Sequence, residues 1–273
     1  MSDTTPQTVT VNFKLALGDG TFDASATVPE GECNLTEILP VLQSLDGSLL
    51  NAVAEQINEA GLSISCKAGC GACCRQMVPL SIFEAQALAV WIGTLDPNTR
   101  QILARRFHQA LLKLSSAGLI DRLVSGGDWL ADTDSARQLT IDYFYQGVPC
   151  PFLQDESCSI HPIRPLICRE YLVTSDPRHC ADPAALQIDP VPLPLNFSRV
   201  LNHMGAELES GSHGWIPLVF LFAWMERGAQ PGTAFSGTGP EVLYEFVRRM
   251  EFAGKTSQKK PEAPARAAPA VPE

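Results

Sequence analysis

The stretch Cys66-Lys67-Ala68-Gly69-Cys70-Gly71-Ala72-Cys73-Cys74-Arg75 places four thiols within nine residues. Its two glycines let the backbone turn tightly around a small object. A second stretch runs from Cys150-Pro151-Phe152-Leu153 through Cys158-Ser159-Ile160-His161 to Arg164-Pro165 and Cys168-Arg169. Together they hold seven of the nine cysteines. Thiolates are soft ligands suited to zinc and to iron–sulfur clusters. The candidate ligands are therefore Cys66, Cys70, Cys73, Cys74, Cys150, Cys158 and Cys168. A metal shared by both stretches would cross-link an early loop to a late one, so losing a ligand should cost stability as well as occupancy.

Cys73 and Cys74 constrain such a site. Neighbouring side chains point apart in strands and helices. Either one of the two stands outside the ligand set, or the site holds more than one metal atom. Seven cysteines and His161 would supply two tetrahedral zincs, whereas one four-iron cluster would take four thiolates. Spacing leaves both open. His161 and Cys180 are candidate accessory ligands, and Lys67, Arg75, Arg164 and Arg169 are placed to balance thiolate charge. Core packing, disulfides or a thioredoxin-like pair at Cys70 and Cys73 explain two tight cysteine groups less well. Cys33 stands alone and reads as structural.

At these residues the chain resembles the YkgJ-type cysteine-cluster family of zinc- or iron-chelating domains, over about residues 62–175. The resemblance rests on Cys66, Cys70, Cys73-Cys74, Cys150-Pro151-Phe152-Leu153, Cys158-Ser159-Ile160, Arg164-Pro165 and Cys168-Arg169. It implies a metal site and leaves the reaction open. Family members often carry tyrosine where this chain has His161, so the resemblance implies no ligand role there. A related pattern occurs in flagellin lysine methylases, linked to an iron–sulfur cluster. That resemblance implies the alternative of a protein-modifying enzyme. Cys66, Cys70 and Cys73 also have radical S-adenosylmethionine spacing, but that fold needs alternating strands and helices, and the patterns here are mostly helical.

The elements that must position these residues follow from local patterns. Residues 8–17 and 21–28 alternate around Gly18-Asp19-Gly20 and predict a hairpin. Asn34 and Glu37 have capping-box spacing ahead of a long helical stripe, with Asp46-Gly47 as a candidate interruption and Gly61 as its stop. Ser81 with Glu84 predicts a helix over 82–93, and Asp96-Pro97 opens another. Shorter helices are expected at 118–130 and 134–146, then a loop over 150–171 with a short helix near Pro165. An irregular connection over 174–195 precedes helices at about 196–210, 215–227 and 240–253. The fold class is mainly α with an N-terminal β-hairpin and a metal-stabilised, cysteine-rich central region. Four segments are expected: a hairpin segment 1–32, a cysteine-cluster domain 33–175, an irregular connection and C-terminal helices over 176–254 packing on it, and a disordered tail 255–273.

An apolar fraction of 45% allows a sizeable core, and a net charge of -10 disfavours a general nucleic-acid binder. The N-terminal residues show neither a basic start nor an apolar run, so no signal peptide is expected. The apolar window 215–225 is too short to span a bilayer, so no membrane association is expected. The expected compartment is the reducing cytoplasm, where clustered cysteines bind metal more often than they form disulfides. The function read from the residues is binding of zinc or an iron–sulfur cluster, in a structural, metal-handling or redox role. No catalytic base, nucleophile or phosphate loop stands out.

Overall fold

Period-two alternation gives the N-terminal strands one apolar face. The computed structural model describes residues 7–17, 20–67, 69–124, 133–183, 185–208, 213–228 and 234–257. In it, β1 (Thr8–Leu17) pairs antiparallel with β2 (Gly20–Pro29), from Thr8 opposite Pro29 to Leu17 opposite Gly20. The turn expected at Gly18-Asp19 lies outside the described residues. This register sets Val9, Val11, Phe13 and Leu15 opposite Val28, Ala26, Ala24 and Phe22. All eight face the first apolar core. A lone hairpin is marginal in water, and this one is held by the helices it covers.

Those helices are α1 (Leu39–Glu59), α7 (Phe197–Ala206) and α9 (Gly239–Ser257). Leu39, Leu42, Leu45, Leu49 and Val53 give α1 its buried stripe, and Phe197, Val200, Leu201, Val242 and Phe246 meet it. The capping box forms as read: Asn34 N–H donates to Glu37 Oε2 at 2.8 Å, and Glu37 N–H to Asn34 Oδ1 at 3.2 Å. It closes a turn, however, and the helix proper begins at Leu39. Pro40 lies in the first turn, where its missing N–H has no intrahelical bond to make. Asp46-Gly47 does not interrupt α1. Gly61 adopts φ +77° and ends the run, as expected.

A second core joins α2 (Ile82–Thr94) and α3 (Pro97–Ser116) to Phe152, Ile160, Leu218 and Leu221. Both helices are capped as their sequences predict, Ser81 Oγ accepting from Glu84 N–H and Asp96 Oδ1 from Thr99 N–H. A third core gathers the end of α3, α4 (Ile120–Val124), α5 (Thr133–Tyr145), Val148 and Val219. Two short strand pairs return the C-terminal half to the N-terminal half. β3 (Glu32–Asn34) pairs with β8 (Ser236–Thr238), and β4 (Pro79–Ser81) pairs with β7 (Trp215–Pro217).

The last pair corrects the helix expected over 215–227. Pro217 disfavours helical backbone at Ile216, and residues 215–217 run extended beside β4. A 3₁₀ turn and the short α8 (Leu221–Glu226) follow. The 150–171 region contains α6 (Leu166–Glu170), as expected, and a two-residue-per-strand hairpin, β5 (Leu153–Gln154) with β6 (Ser157–Cys158), that periodicity did not indicate. Helix α9 continues to Ser257, and the rest of the expected tail, 258–273, lies outside the described residues. So do residues 125–132, which include the end of the helix expected over 118–130. Among the described residues no helix is long and apolar enough to cross a membrane.

Candidate metal centre

The first cysteine stretch is laid down by the chain leaving α1. Residues 62–67 run without regular structure, and Ser65 N–H donates to Val173 O at 2.9 Å while its hydroxyl donates to Thr174 O at 3.1 Å. This pins the approach to Cys66 against the segment that follows α6. Gly69 takes φ +82°, which favours glycine, and Cys70 N–H closes a turn on Lys67 O. Ala72–Arg75 then forms one 3₁₀ turn.

The second stretch is delivered by α5. Gly147 at φ +58° stops the helix, buried Val148 anchors the exit, and Cys150 N–H donates to Cys74 O at 2.7 Å. That backbone bond joins the two stretches directly. The β5–β6 turn places Asp155 at φ 48° and Glu156 at φ 57°, left-handed positions where asparagine and glycine are usual. Glu156 has a use for that strained position. Arg75 Nη1 donates to Glu156 Oε2 at 3.0 Å and Nη2 to Glu156 Oε1 at 2.7 Å, while Nη1 also donates to Gly71 O at 2.8 Å. A Cβ at Gly71 would displace the Glu156 carboxylate from its place beside Arg75 and lie 3.2 Å from Glu156 Cα. Arg75 therefore clamps the hairpin that carries Cys158 onto the turn that carries Cys73 and Cys74.

Helix α6, with Cys168, is held at both ends by buried carboxylates. Glu84 of α2 accepts from Leu166 N–H at 2.7 Å and from Ser81 Oγ at 2.9 Å. The sequence assigned Glu84 only to its own helix. Glu170 accepts from Ser198 N–H at 3.0 Å and from the Ser198 hydroxyl, so it caps α7. Burial raises both carboxyls, Glu84 to about 6. Arg169 is spent on the loop, donating to Arg164 O and Pro162 O. Beneath lies Asp46 of α1, fully buried, with no hydrogen-bond partner for either oxygen among the described residues. Burial first, then Glu170, pushes its carboxyl up to about 8, and Arg169 and Arg164 offset part of this.

The thiols share one electrostatic neighbourhood, with Cys73 common to it. Cys73 acts on Cys66, Cys74, Cys150, Cys158 and Cys168, and on Cys180 as well. The two adjacent thiols Cys73 and Cys74 act on each other, which lowers Cys73 to about 7 and raises Cys74. The Arg164 guanidinium further favours the Cys73 thiolate. Burial raises four more: Cys66 and Cys158 above the usual thiol range, Cys150 to about 12, and Cys168 well above that range, with neighbouring thiols adding to the last two. Crowded, buried thiols hold their protons, and a bound cation reverses that balance.

Cys180 comes from the long 174–195 connection, on a 3₁₀ turn over Pro177–Ala181. It is buried, and raised to about 11 by burial and by Cys66, Cys73 and Cys70. Cys180 thus lies within electrostatic reach of thiols in the first stretch. His161 lies exposed, lowered by Arg164 and Arg169, and no cysteine is among the groups that shift it. His179, beside Cys180, turns its Nδ1 to Gln187 O at 2.6 Å. Lys67 is exposed. Cys33 is buried in the first core, away from the cluster. Sequence reading missed Glu156, Asp46 and the second use of Glu84. The unusual Asp-Glu turn sequence carried no local signal for the first, and burial is not legible for the others.

Among the described residues, no three His, Cys, Asp or Glu side chains stand as ligands around one point. The donor set nevertheless suits a soft cation: eight thiols on two backbone-linked stretches and one loop, with arginine beside them. Residues 65–184 match the model of the CxxCxxCC family, described as "Putative zinc- or iron-chelating domain". The match agrees with the resemblance read from the cysteine stretches, and it extends past Cys180. It supports a general metal-binding role for this segment. No curated protein and no solved structure matches the chain.

Proposed function

We propose that the protein binds zinc or an iron–sulfur cluster through ligands drawn from Cys66, Cys70, Cys73, Cys74, Cys150, Cys158 and Cys168, with Cys180 as an eighth thiol. The observation that carries this reading is the backbone bond from Cys150 N–H to Cys74 O, which joins the two cysteine stretches, with thiols of three segments within electrostatic reach of Cys73. Core packing would not require eight thiols in one neighbourhood. A thiolate-bound metal would supply a cross-link between segments and, if it is iron, a redox centre.

The chain's own residues prepare the site. The neighbouring Cys74 thiol favours the thiolate form of Cys73. Arg164 stabilises anionic sulfur at Cys66, Cys73 and Cys158. The Arg75–Glu156 clamp and the bond from Cys150 N–H to Cys74 O keep the two stretches in register. The remaining thiols would give up their protons on binding a metal. Eight thiols meet the needs of two four-coordinate ions. The role this centre plays is structural, metal-handling or redox.

The deciding experiment is metal analysis with a visible spectrum on protein purified without oxygen. Iron with sulfide and a brown colour would identify a cluster. Colourless protein with stoichiometric zinc would identify a zinc–thiolate site. Protein that holds neither, and takes up neither when they are supplied with reductant, would overturn the reading.

A further inference from the structure

A pocket of about 430 Å³ lies outside the thiol cluster, between α3 and the loop that carries Cys150. One wall is a single face of α3, with Arg106, Gln109 and Lys113 at spacings of three and four residues. The opposite wall is the chain from Val148 to Asp155, including Cys150 and Gln154. Arg106 is half-buried and spends one N–H on Pro151 O at 3.4 Å. Among the described residues, neither Arg106 nor Lys113 has a carboxylate in ion-pair contact. Asp155 is the one acid among the described lining residues, so the pocket carries net positive charge in a chain of net charge -10. Its volume is that of a small-molecule site, and its polar groups include two cations and two amides.

We propose that this pocket binds a small anion bearing a carboxylate or phosphate group. The guanidinium of Arg106 offers a planar fork for two anionic oxygens, and Lys113 adds a point charge further along the same helical face. Gln109 lies between them and supplies an amide donor. The occupant would sit behind Cys150, against the wall of the thiol cluster.

The test is calorimetric titration of the full-length protein, as purified, with inorganic phosphate and separately with succinate at constant ionic strength. Binding of either probe with a Kd below about 1 mM is expected, and the tighter probe assigns the anion class. Lys113→Gln, at an exposed position, should weaken binding about tenfold, and Arg106→Gln by at least as much. Arg105→Gln removes the same charge from the same helix outside the pocket and should leave Kd within about twofold, because exposed charges at a distance are screened. The proposal is overturned if neither probe binds, or if Arg105→Gln weakens binding as much as Lys113→Gln does.

Discussion

Asp46→Asn should make the protein more stable at alkaline pH, and the size of the gain can be worked out from burial. The Asp46 carboxyl is fully buried, neither oxygen is hydrogen-bonded among the described residues, and its pKa rises from 3.8 to about 8. A carboxyl whose folded pKa is raised behaves oppositely to a salt-bridged one. Between pH 3.8 and 8 the folded state keeps a proton that the unfolded state has released, so stability falls as pH rises through this window. A tenfold change in proton affinity is worth about 1.4 kcal/mol, so a rise from 3.8 to about 8 sets a ceiling of about 6 kcal/mol. Water entry and the nearby Arg164 and Arg169 lower this, and buried unsatisfied polar groups typically cost about 1–3 kcal/mol. We expect Asp46→Asn to be within about 0.5 kcal/mol of the parent near pH 5 and about 2 kcal/mol more stable near pH 9. The assay is urea unfolding of both proteins across that range at fixed metal content. The thiols titrate in both, so the difference between the two curves isolates Asp46. Parallel curves from about pH 5 to 9 would refute the reasoning, and would mean that Asp46 is paired when ionised.

The remaining expectations concern the cluster. Breaking the clamp with Glu156→Gln should lower metal affinity about tenfold, as loss of a supporting contact typically does. Exchanging the charges in Arg75→Glu with Glu156→Arg should recover part of that, measured by competition with a chelator; no recovery would show that the pair does not act as a unit. Cys168→Ser should reduce metal bound per chain and speed hydrogen exchange at the Ser65 amide, which bonds to Val173 O beyond α6. Unchanged exchange there would separate the two stretches into independent sites. Chelation of zinc, or oxidation of a cluster, should release several thiols together to a thiol reagent and loosen the fold by circular dichroism. Equal reactivity of Cys66, Cys70, Cys73, Cys150, Cys158 and Cys168 before and after treatment would defeat the metal-site reading.

What the sequence determined was what neighbours decide. The hairpin follows from period-two alternation, and α2 and α3 follow from Ser81, Glu84, Asp96 and Pro97, because caps and periodicity act within a few residues. The two cysteine groups were legible for the same reason: thiol spacing within each stretch is local. Only the tertiary structure decided what depends on remote partners. Trp215–Pro217 forms a strand because β4 offers it an edge and Pro217 resists a helix. Cys180 comes near the first stretch because its Pro177–Ala181 turn packs against Ala72–Arg75, a contact no local pattern encodes. Glu84 and Glu170 became caps for α6 and α7, and Asp46 a buried carboxyl without a partner, once α1, α2 and α7 had packed around the second cysteine stretch. Side-chain chemistry was written in the chain, but the environment that shifts it was set by what packs against each group.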